Sequence, residues 1–312
     1  MNGMELSRLF WNTYKDELFA GDLAPYAARA AAGLVGEGSE CWGYDDETSR
    51  DHDWGPGCCI WLTRDDYAAI GAELTRRYQA CAARPLAGFP PRQDPTGSMA
   101  TQRVGVFRVE AFYVRFLPEG MPKTLEAWRQ AREFALAAAT NGEVFCDGAG
   151  RFTEIRERIL DGYPRDLQLH RIAAGCVHAA QDGQYNFARQ AARGEDLAAL
   201  SALARFQDDV LQIAFALAGR FRPFYKWAPR ELLTLGALGS DLHDLLERSL
   251  TAYRLDDIDR AARAIEETAE RIVEELNAQG LSQGRDSWLL AHADAVNAKI
   301  EDEGLRRADL MA

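Results

Sequence analysis

Positive charge, paired cysteines and long hydrophobic runs are all scarce in this 312-residue chain. Acidic residues outnumber basic ones by 48 to 36, and the formal net charge is −12. This balance disfavours sequence-independent binding to nucleic acid, which needs a basic surface to replace phosphate counterions. No apolar run approaches the roughly 20 residues that cross a bilayer, so no membrane partner is expected.

The six cysteines are scattered, and none forms a C-x-x-C pair. A chain of this length does not need disulfides, so we expect reduced thiols, no zinc and a cytoplasmic location. The N-terminus has no basic start followed by an apolar core, which argues against a secretory signal. P-loop, Rossmann, G-x-S-x-G and H-E-x-x-H motifs are also missing, so those enzyme classes are not indicated.

The composition that remains is 47% hydrophobic and 27% charged, as in a soluble globular protein. The length suits two domains. Mixed helix and strand patterns fill the first half, and helical patterns dominate from about residue 152. We therefore predict an α+β protein, with a small mixed-sheet domain over residues 1–151 and an all-α helical-bundle domain over 152–312.

Periodicity and turn residues give the following elements. Strands are predicted at 34–36, 58–62, 104–117 (running on into a helix) and 143–146. Helices are predicted at 5–19, 24–33, 63–82, 124–140, 152–161, 166–181, 196–221, 229–237, 240–252, 255–278 and 286–303. Residues 84–102 hold four prolines and two glycines, which indicates a surface loop that could act as a lid.

The most informative segment is GSECWGYDDETSRDHDWGP, which begins at Gly38. It joins the Gly38–Ser39 turn to the pair Asp51 and Asp53. Carboxylates at i and i+2 of a strand point to the same face, where a divalent cation would relieve their repulsion. The Gly-Ser turn offers N–H groups and a hydroxyl to a phosphate. These parts indicate metal-assisted phosphoryl or nucleotidyl transfer.

Three neighbours of the acidic pair are also candidates. Ser49 and Arg50 precede it and are predicted to help bind the nucleotide. For Arg50, the alternatives are a phosphate contact or a pair with Asp45 or Asp46. His52 should face away from the metal side, either as a core residue or as a substrate contact.

Three candidate residues lie in the helical half. Lys226 stands between two aromatic residues, an environment that suits a half-desolvated cation binding phosphate. Alternatively, its stem packs on those rings and its ammonium group remains in water. Tyr185 and Arg189 share one helix face and could line the nucleotide or acceptor cleft, or belong to a solvated arginine face.

The Gly38-to-Asp53 motif resembles the nucleotidyltransferase superfamily of DNA polymerase β and kanamycin nucleotidyltransferase. That superfamily carries a Gly-Ser pair, a spacer of about ten residues, and an acidic, an apolar and a second acidic residue. His52 departs from the pattern. The phrases NGEVFCDGAGRFTEIRERIL, QYNFARQAARGED and RPFYKWAPRELLTL are similar to an uncharacterised bacterial nucleotidyltransferase-like family, over most of residues 34–240.

The resemblance implies roles for these residues. Gly38 and Ser39 would hold the β- and γ-phosphates of a nucleoside triphosphate, and Asp51 and Asp53 would bind Mg²⁺, with Mn²⁺ as an alternative. A third carboxylate from a later strand would join the metal site or act as base. Glu110 is the only acid in the 104–117 segment and is assigned that role. The helical domain would close over the nucleotide.

The leading hypothesis is a Mg²⁺-dependent nucleotidyltransferase. It would transfer NMP, most simply AMP from ATP, to a hydroxyl or phosphate of a small molecule or protein and release pyrophosphate. The alternative is a catalytically degenerate nucleotide-binding regulatory module or an antitoxin-like partner. If Glu110 points away from the metal site, the base is missing or comes from the Asp45-Asp46-Glu47 cluster.

Overall fold

The computed structural model describes residues 1–50, 53–92 and 102–311. Internal contacts divide the chain into two units. The first unit comprises Met1–Lys123 and Ala135–Gly162, and the second comprises Thr124–Phe134 and Tyr163–Ala312. The sequence placed a single boundary after residue 151. The contacts instead place residues 152–162 in the first unit and residues 124–134 in the second.

The predicted α+β class is confirmed, because a four-stranded mixed sheet occurs together with a helical region. The strands are β1 (Ala31–Leu34), β2 (Cys59–Leu62), β3 (Gly105–Arg108) and β4 (Glu143–Asp147). The helices of the first unit are α1 (Gly3–Leu18), α2 (Ala24–Ala27), α3 (Arg64–Ala82), α4 (Val109–Val114), α6 (Glu133–Thr140, which begins in the second unit) and α7 (Arg151–Asp161).

The sheet has the order β3-β2-β1-β4. Strand β1 is antiparallel to both β2 and β4, whereas β2 and β3 are parallel. Strands β2, β3 and β4 therefore run in one direction and β1 in the other. At one edge, named here the Gly38 edge, β1 ends and the other three strands begin. At the opposite edge, named the Glu110 edge, β1 begins and the other three end.

Two predicted elements of this unit are wrong in part. Residues 24–33 were predicted to be one helix, but Ala31–Leu34 is a strand whose residues are all buried. Burial in the middle of the sheet outweighs the helix propensity of its two alanines. The strand predicted over 104–117 ends at Arg108, and the chain continues as helix α4. In contrast, the helix predicted over 63–82 agrees with α3, and Thr63 caps it, because its hydroxyl accepts a hydrogen bond from the Asp66 N–H.

The core of the first unit lies on both faces of the sheet. On one face, Phe10 and Leu18 of α1 and Leu74 of α3 pack in one cluster with Ile60 of β2. On the other, the Trp61 ring stacks on a phenylalanine of α7, Phe152, at 3.9 Å. Alternating residues of β2 thus point to opposite faces and are buried on both, which fixes the strand between two layers.

The second unit is helical throughout its regular structure. Its helices are α5 (Leu125–Gln130), α8 (Arg165–Ala179), α9 (Ala188–Ala191), α10 (Asp196–Leu217), α11 (Ala228–Leu232), α12 (Gly236–Arg254), α13 (Ile258–Ala278), α14 (Leu290–Asn297) and α15 (Glu303–Arg306). Helix α8 continues directly into a π-helix, Ala180–Phe187.

The predicted helix over 124–140 is broken between α5 and α6, and that over 286–303 is broken between α14 and α15. The predictions near 196–221 and 255–278 agree with α10 and α13 to within a few residues. Across the described ranges, no helix is both long and apolar enough to span a membrane.

Candidate functional site

The Gly38–Ser39 pair lies at the Gly38 edge, four residues after β1 ends. It opens a short 3₁₀ turn, Ser39–Cys41. The Gly38 carbonyl accepts from the Cys41 N–H at 3.0 Å, and the Ser39 carbonyl accepts from the Tyr44 N–H at 3.0 Å. The turn is therefore closed on its own backbone, and the half-buried Ser39 side chain contributes a hydroxyl.

A buried ion pair between Glu40 and Arg92 supports this turn. Glu40 Oε1 lies 3.0 Å from Arg92 Nη2, and the two side chains are only 3% and 7% exposed. Arg92 also donates to the carbonyls of Asp53 and Gly55. A Cβ on Gly38 would lie 2.4 Å from Glu40 Oε2, so a side chain there would displace the ion pair. Arg92 thus joins the two ends of the motif.

Asp53 does not lie on a strand as predicted. It precedes β2 by six residues and has a left-handed backbone with φ of 53°. Its carboxylate is buried; Oδ2 lies 3.5 Å from Arg103 Nη2, and Oδ1 has no hydrogen-bond partner among the described residues. The other members of the predicted motif, Asp51 and His52, lie outside the described residues.

Asn141 fixes the point where the chain leaves β1. Its Oδ1 accepts from the Gly36 N–H at 2.9 Å, and its Nδ2 donates to the Gly36 carbonyl at 2.7 Å. Gly36 has φ of 141°, a conformation that favours glycine. The amide side chain thereby makes the two backbone hydrogen bonds that a neighbouring strand would otherwise make, and it fixes the chain two residues before Gly38.

Arg115 also reaches the Gly38 edge. It follows α4 directly, and the titratable groups that influence it are Cys59, Glu37, Arg103 and Cys41, which all lie at this edge. Burial lowers the pKa of its guanidinium below the usual value. Its Nε and Nη1 are buried and lack hydrogen-bond partners among the described residues.

Glu110 is not beside Asp53. It occupies the first turn of α4, at the edge where β3 ends, whereas Asp53 precedes the start of β2. Its Oε1 accepts from Arg151 Nε at 3.1 Å, and both side chains are more than a third exposed. The prediction that Glu110 lies on a strand is therefore wrong, because the chain turns into a helix after Arg108.

Ser49 and Arg50 have local contacts. The Ser49 N–H and hydroxyl both donate to Asp46 Oδ1, at 2.9 and 3.0 Å. These hydrogen bonds from Ser49 lower the pKa of Asp46. The Arg50 guanidinium lies over the rings of Trp54 and Phe89, at 4.7 and 5.6 Å from their centroids.

Asp45, another member of the acidic cluster, has a structural role. Its Oδ2 accepts from the Gly3 N–H at 2.7 Å and from Trp54 Nε1 at 2.9 Å, which ties the cluster to α1.

The remaining predicted residues belong to the second unit. Lys226 is exposed, with its ammonium 4.8 Å from the centroid of the Trp227 ring. The Arg189 guanidinium lies 4.5 Å from the Tyr185 ring centroid, and both side chains are exposed near the end of the π-helix. These contacts agree with the packing and solvated-surface alternatives, and they leave both groups accessible to a ligand.

Three arginines at the Gly38 edge were missed from the sequence: Arg92, Arg103 and Arg115. Arg92 was included in a predicted surface loop, although its side chain is buried. Arg115 stands in the aromatic run FRVEAFYVRF, where its Cζ lies 5.4–5.7 Å from the centroids of three phenylalanine rings. A charged residue inside a strongly apolar run is the signal that could have identified it.

The second unit contains an acid that the sequence also did not reveal. Asp209 of α10 has Oδ1 3.8 Å from His178 Nδ1, whereas its Oδ2 is buried without a partner in the described ranges. Burial, reinforced by the negative charges of Asp182 and Asp208, raises the pKa of Asp209 to about 7. No motif or spacing in the sequence indicated this contact between His178 and a buried acid.

The carboxylate of Asp53 suits a divalent cation in one respect. Its Oδ1 is buried and unpaired, and oxygen ligands of this kind are what Mg²⁺ prefers. Within the described ranges, no group of three or more His, Cys, Asp and Glu residues is arranged to hold a metal ion. Asp51, the other predicted ligand, lies outside those ranges.

Comparison with known proteins adds one match. Residues 128–228, about a third of the chain, are similar to a family described as Domain of unknown function (DUF4037). The matched segment includes β4, α7 and the helices up to the start of α11, and it excludes Gly38, Ser39 and Asp53. No curated protein and no solved structure matches the chain.

Proposed function

We propose that the first unit is a magnesium-dependent nucleotidyltransferase. It would transfer a nucleoside monophosphate, AMP from ATP in the leading case, to a hydroxyl or phosphate of a small-molecule or protein acceptor. The observation that carries the proposal is the meeting of the Gly38–Ser39 turn with Asp53 at one edge of the sheet, where Arg92 joins them. A phosphate-binding turn and a cation-binding carboxylate are the first parts that this reaction needs.

Each part has a defined task. The turn and the Ser39 hydroxyl would bind the β- and γ-phosphates, and Arg103, next to Asp53, would add positive charge. Asp53, together with Asp51, would hold Mg²⁺, which neutralises phosphate charge in such reactions. The acceptor oxygen bonds to the α-phosphorus, the bond to the bridging oxygen breaks, and pyrophosphate leaves. A hydroxyl acceptor also gives its proton to a base.

The position of Glu110 favours a second candidate, a nucleotide-binding regulatory module without transferase activity. Glu110 was the expected base, and it pairs with Arg151 at the other edge of the sheet. Asp45, from the alternative acidic cluster, is tied to α1 and Trp54. A protein of this second kind would bind Mg²⁺-nucleotide at the Gly38 edge and release no pyrophosphate.

Calorimetric titration with the Mg²⁺ complexes of ATP, GTP, CTP and UTP tests the proposal. We expect one of them to bind, and Asp53→Asn to weaken binding at least tenfold by removing a metal ligand. Glu110→Gln is the matched control, because it neutralises a carboxylate of the same unit at the opposite edge. Circular dichroism confirms that each variant is folded.

The outcomes separate the candidates. Equal nucleotide affinity in Asp53→Asn and the wild type would contradict the site, and no binding of any triphosphate would contradict both candidates. Pyrophosphate release is then measured with a pool of metabolites and proteins as acceptors. Release that depends on Asp53 supports the transferase, whereas binding without release across the pool supports the regulatory module.

A further inference from the structure

Helix α4 carries opposite charges to opposite edges of the sheet. Glu110 lies in its first turn at the Glu110 edge, and Arg115 follows its last residue and interacts with Cys59 at the start of β2. At about 1.5 Å per residue, five helical residues span roughly 7–8 Å and turn the side chains to different directions. The acid in the first turn of this helix follows the end of β3, at the edge opposite the Gly38–Ser39 turn. Arg115 interacts electrostatically with Glu37 and Cys41, which flank that turn, and the ring of the next residue, Phe116, would lie 4.0 Å from a Cβ on Gly36.

The guanidinium of Arg115 is poorly compensated. Two of its three nitrogens, Nε and Nη1, are buried without hydrogen-bond partners among the described residues. The rings of Phe107, Phe112 and Phe116 surround it at 5.4–5.7 Å, and such contacts are weaker than a paired anion. A buried cation without an anion is strongly disfavoured unless something else binds it.

Nearby charges do not remove this imbalance. The carboxylate of Glu37 favours the charged form of Arg115, but Glu37 is exposed and therefore screened by water. The carboxylate of Asp53 is already within 3.5 Å of Arg103, and Arg103 repels Arg115. An anion at this edge would meet two arginines and a glycine-serine turn at once.

We infer that Arg115 binds the terminal phosphates of a polyphosphate ligand held at the Gly38–Ser39 turn. The ligand class is a nucleoside triphosphate if the proposed function is correct, on which the inference rests, or an inorganic polyphosphate with the same chemistry. A guanidinium presents N–H groups in a fork that matches phosphate oxygens, and the surrounding rings hold the fork in place. Arg115 is thus a phosphate-binding residue.

The test uses the full chain and three ligands, Mg²⁺-tripolyphosphate, Mg²⁺-ATP and AMP. We expect Arg115→Met to lower the affinity for tripolyphosphate and ATP by roughly 10- to 100-fold, because charge-assisted hydrogen bonds are lost. The affinity for AMP, which has no terminal phosphates, should remain unchanged. Arg108→Met is the matched control, because Arg108 also has a buried, unpartnered Nε and ends β3 at the opposite edge.

A stability measurement separates binding from a merely structural role. Arg115→Met replaces a half-buried cation, two of whose nitrogens are buried without partners, by an apolar group among phenylalanine rings, so its unfolding midpoint should stay the same or rise. A lower midpoint would indicate that the charge stabilises the fold. Arg115→Lys keeps the charge but loses the fork, so its tripolyphosphate affinity should also fall; wild-type affinity in this variant would overturn the inference even if Arg115→Met does not fold.

The results distinguish this inference from the function on which it rests. ATP binding that depends on Asp53 but not on Arg115 overturns the inference and leaves the proposed function standing. Tripolyphosphate binding that depends on Arg115, without any binding of a nucleoside triphosphate, overturns the function and supports a polyphosphate site. If the wild type binds neither ligand, both are overturned.

Discussion

The two edges of the sheet carry ion pairs of nearly the same length in very different surroundings. At the Gly38 edge, Glu40 and Arg92 are 3.0 Å apart and at least nine-tenths buried. At the Glu110 edge, Arg151 and Glu110 are 3.1 Å apart and more than a third exposed. Water screens the second pair, whereas the first has only the protein to compensate its charges. The distance between two charges therefore does not by itself determine how much an ion pair contributes to stability.

The largest effect should come from breaking the buried pair. Arg92→Met leaves Glu40 charged, buried and unpaired, so we expect a loss of about 3–5 kcal/mol in the free energy of unfolding. Urea unfolding provides the measurement. Pairing Arg92→Met with Glu40→Gln in a double-mutant cycle should give a combined loss well below the sum of the two single losses. Additive losses would show that the two side chains are not coupled.

A buried acid in the second unit extends the comparison to pH. The pKa of Asp209 is raised to about 7 from an ordinary value of 3.8. An acid whose pKa is higher in the folded than in the unfolded state contributes stability that is present below pH 3.8 and lost as the pH rises through 7. Relative to Asp209→Asn, the wild type should therefore lose about 2–3 kcal/mol between pH 5 and pH 8.

Unfolding by urea at the two pH values measures this difference. Asp208→Asn is the matched control, because Asp208 precedes Asp209 directly and its own carboxylate is mostly exposed and lies 2.7 Å from Arg222 Nη1. It should retain most of the wild-type pH dependence. The same pH dependence in Asp209→Asn and in the wild type would show that Asp209 ionises normally.

A smaller effect is expected from the amide that holds the Gly38 edge. Asn141→Ala removes both hydrogen bonds to Gly36, with an expected loss of about 1–3 kcal/mol and a several-fold weaker binding of Mg²⁺-tripolyphosphate. Asn141→Asp keeps the acceptor but turns a carboxylate oxygen toward the Gly36 carbonyl, where the donor was 2.7 Å away, so it should lose at least as much as Asn141→Ala in both thermal midpoint and affinity. Unchanged affinity of Asn141→Ala for Mg²⁺-tripolyphosphate would show that the Gly36 contact does not position the Gly38–Ser39 turn for binding.

The smallest effect should come from the exposed pair. Arg151→Met removes contacts that are open to water, so we expect a loss below about 1 kcal/mol and unchanged nucleotide binding. Measured beside Arg92→Met by the same urea titration, it isolates the contribution of burial at nearly equal ion-pair distance. A loss as large as that of Arg92→Met would refute the contrast between the two edges.

Apolar periodicity and turn residues predicted those helices and strands whose structure depends mainly on nearby residues. Strand β2 and helices α3, α10 and α13 were all predicted from the sequence to within a few residues. Strand β1 was not, because an alanine-rich segment favours a helix until its place inside a sheet is known.

The candidate site was predicted less completely, since it depends on where distant segments meet. Gly38, Ser39 and Asp53 do lie at one edge, although Asp53 is not on a strand. Glu110 was chosen because it was the only acid in its segment, and a single turn from strand to helix placed it at the other edge. Arg92 is brought in by a proline-rich loop, and no periodicity encodes such a contact.

The thiols give this chain a built-in reporter of local opening. Five of the six cysteines belong to the first unit, and Cys176 alone belongs to the second. Burial raises the pKa of the Cys59 and Cys176 thiols to about 12, so neither forms a reactive thiolate at neutral pH while its unit stays closed. The alkylation rates of these two cysteines, resolved by mass spectrometry, would report how often each unit opens locally in the native protein, without any introduced probe.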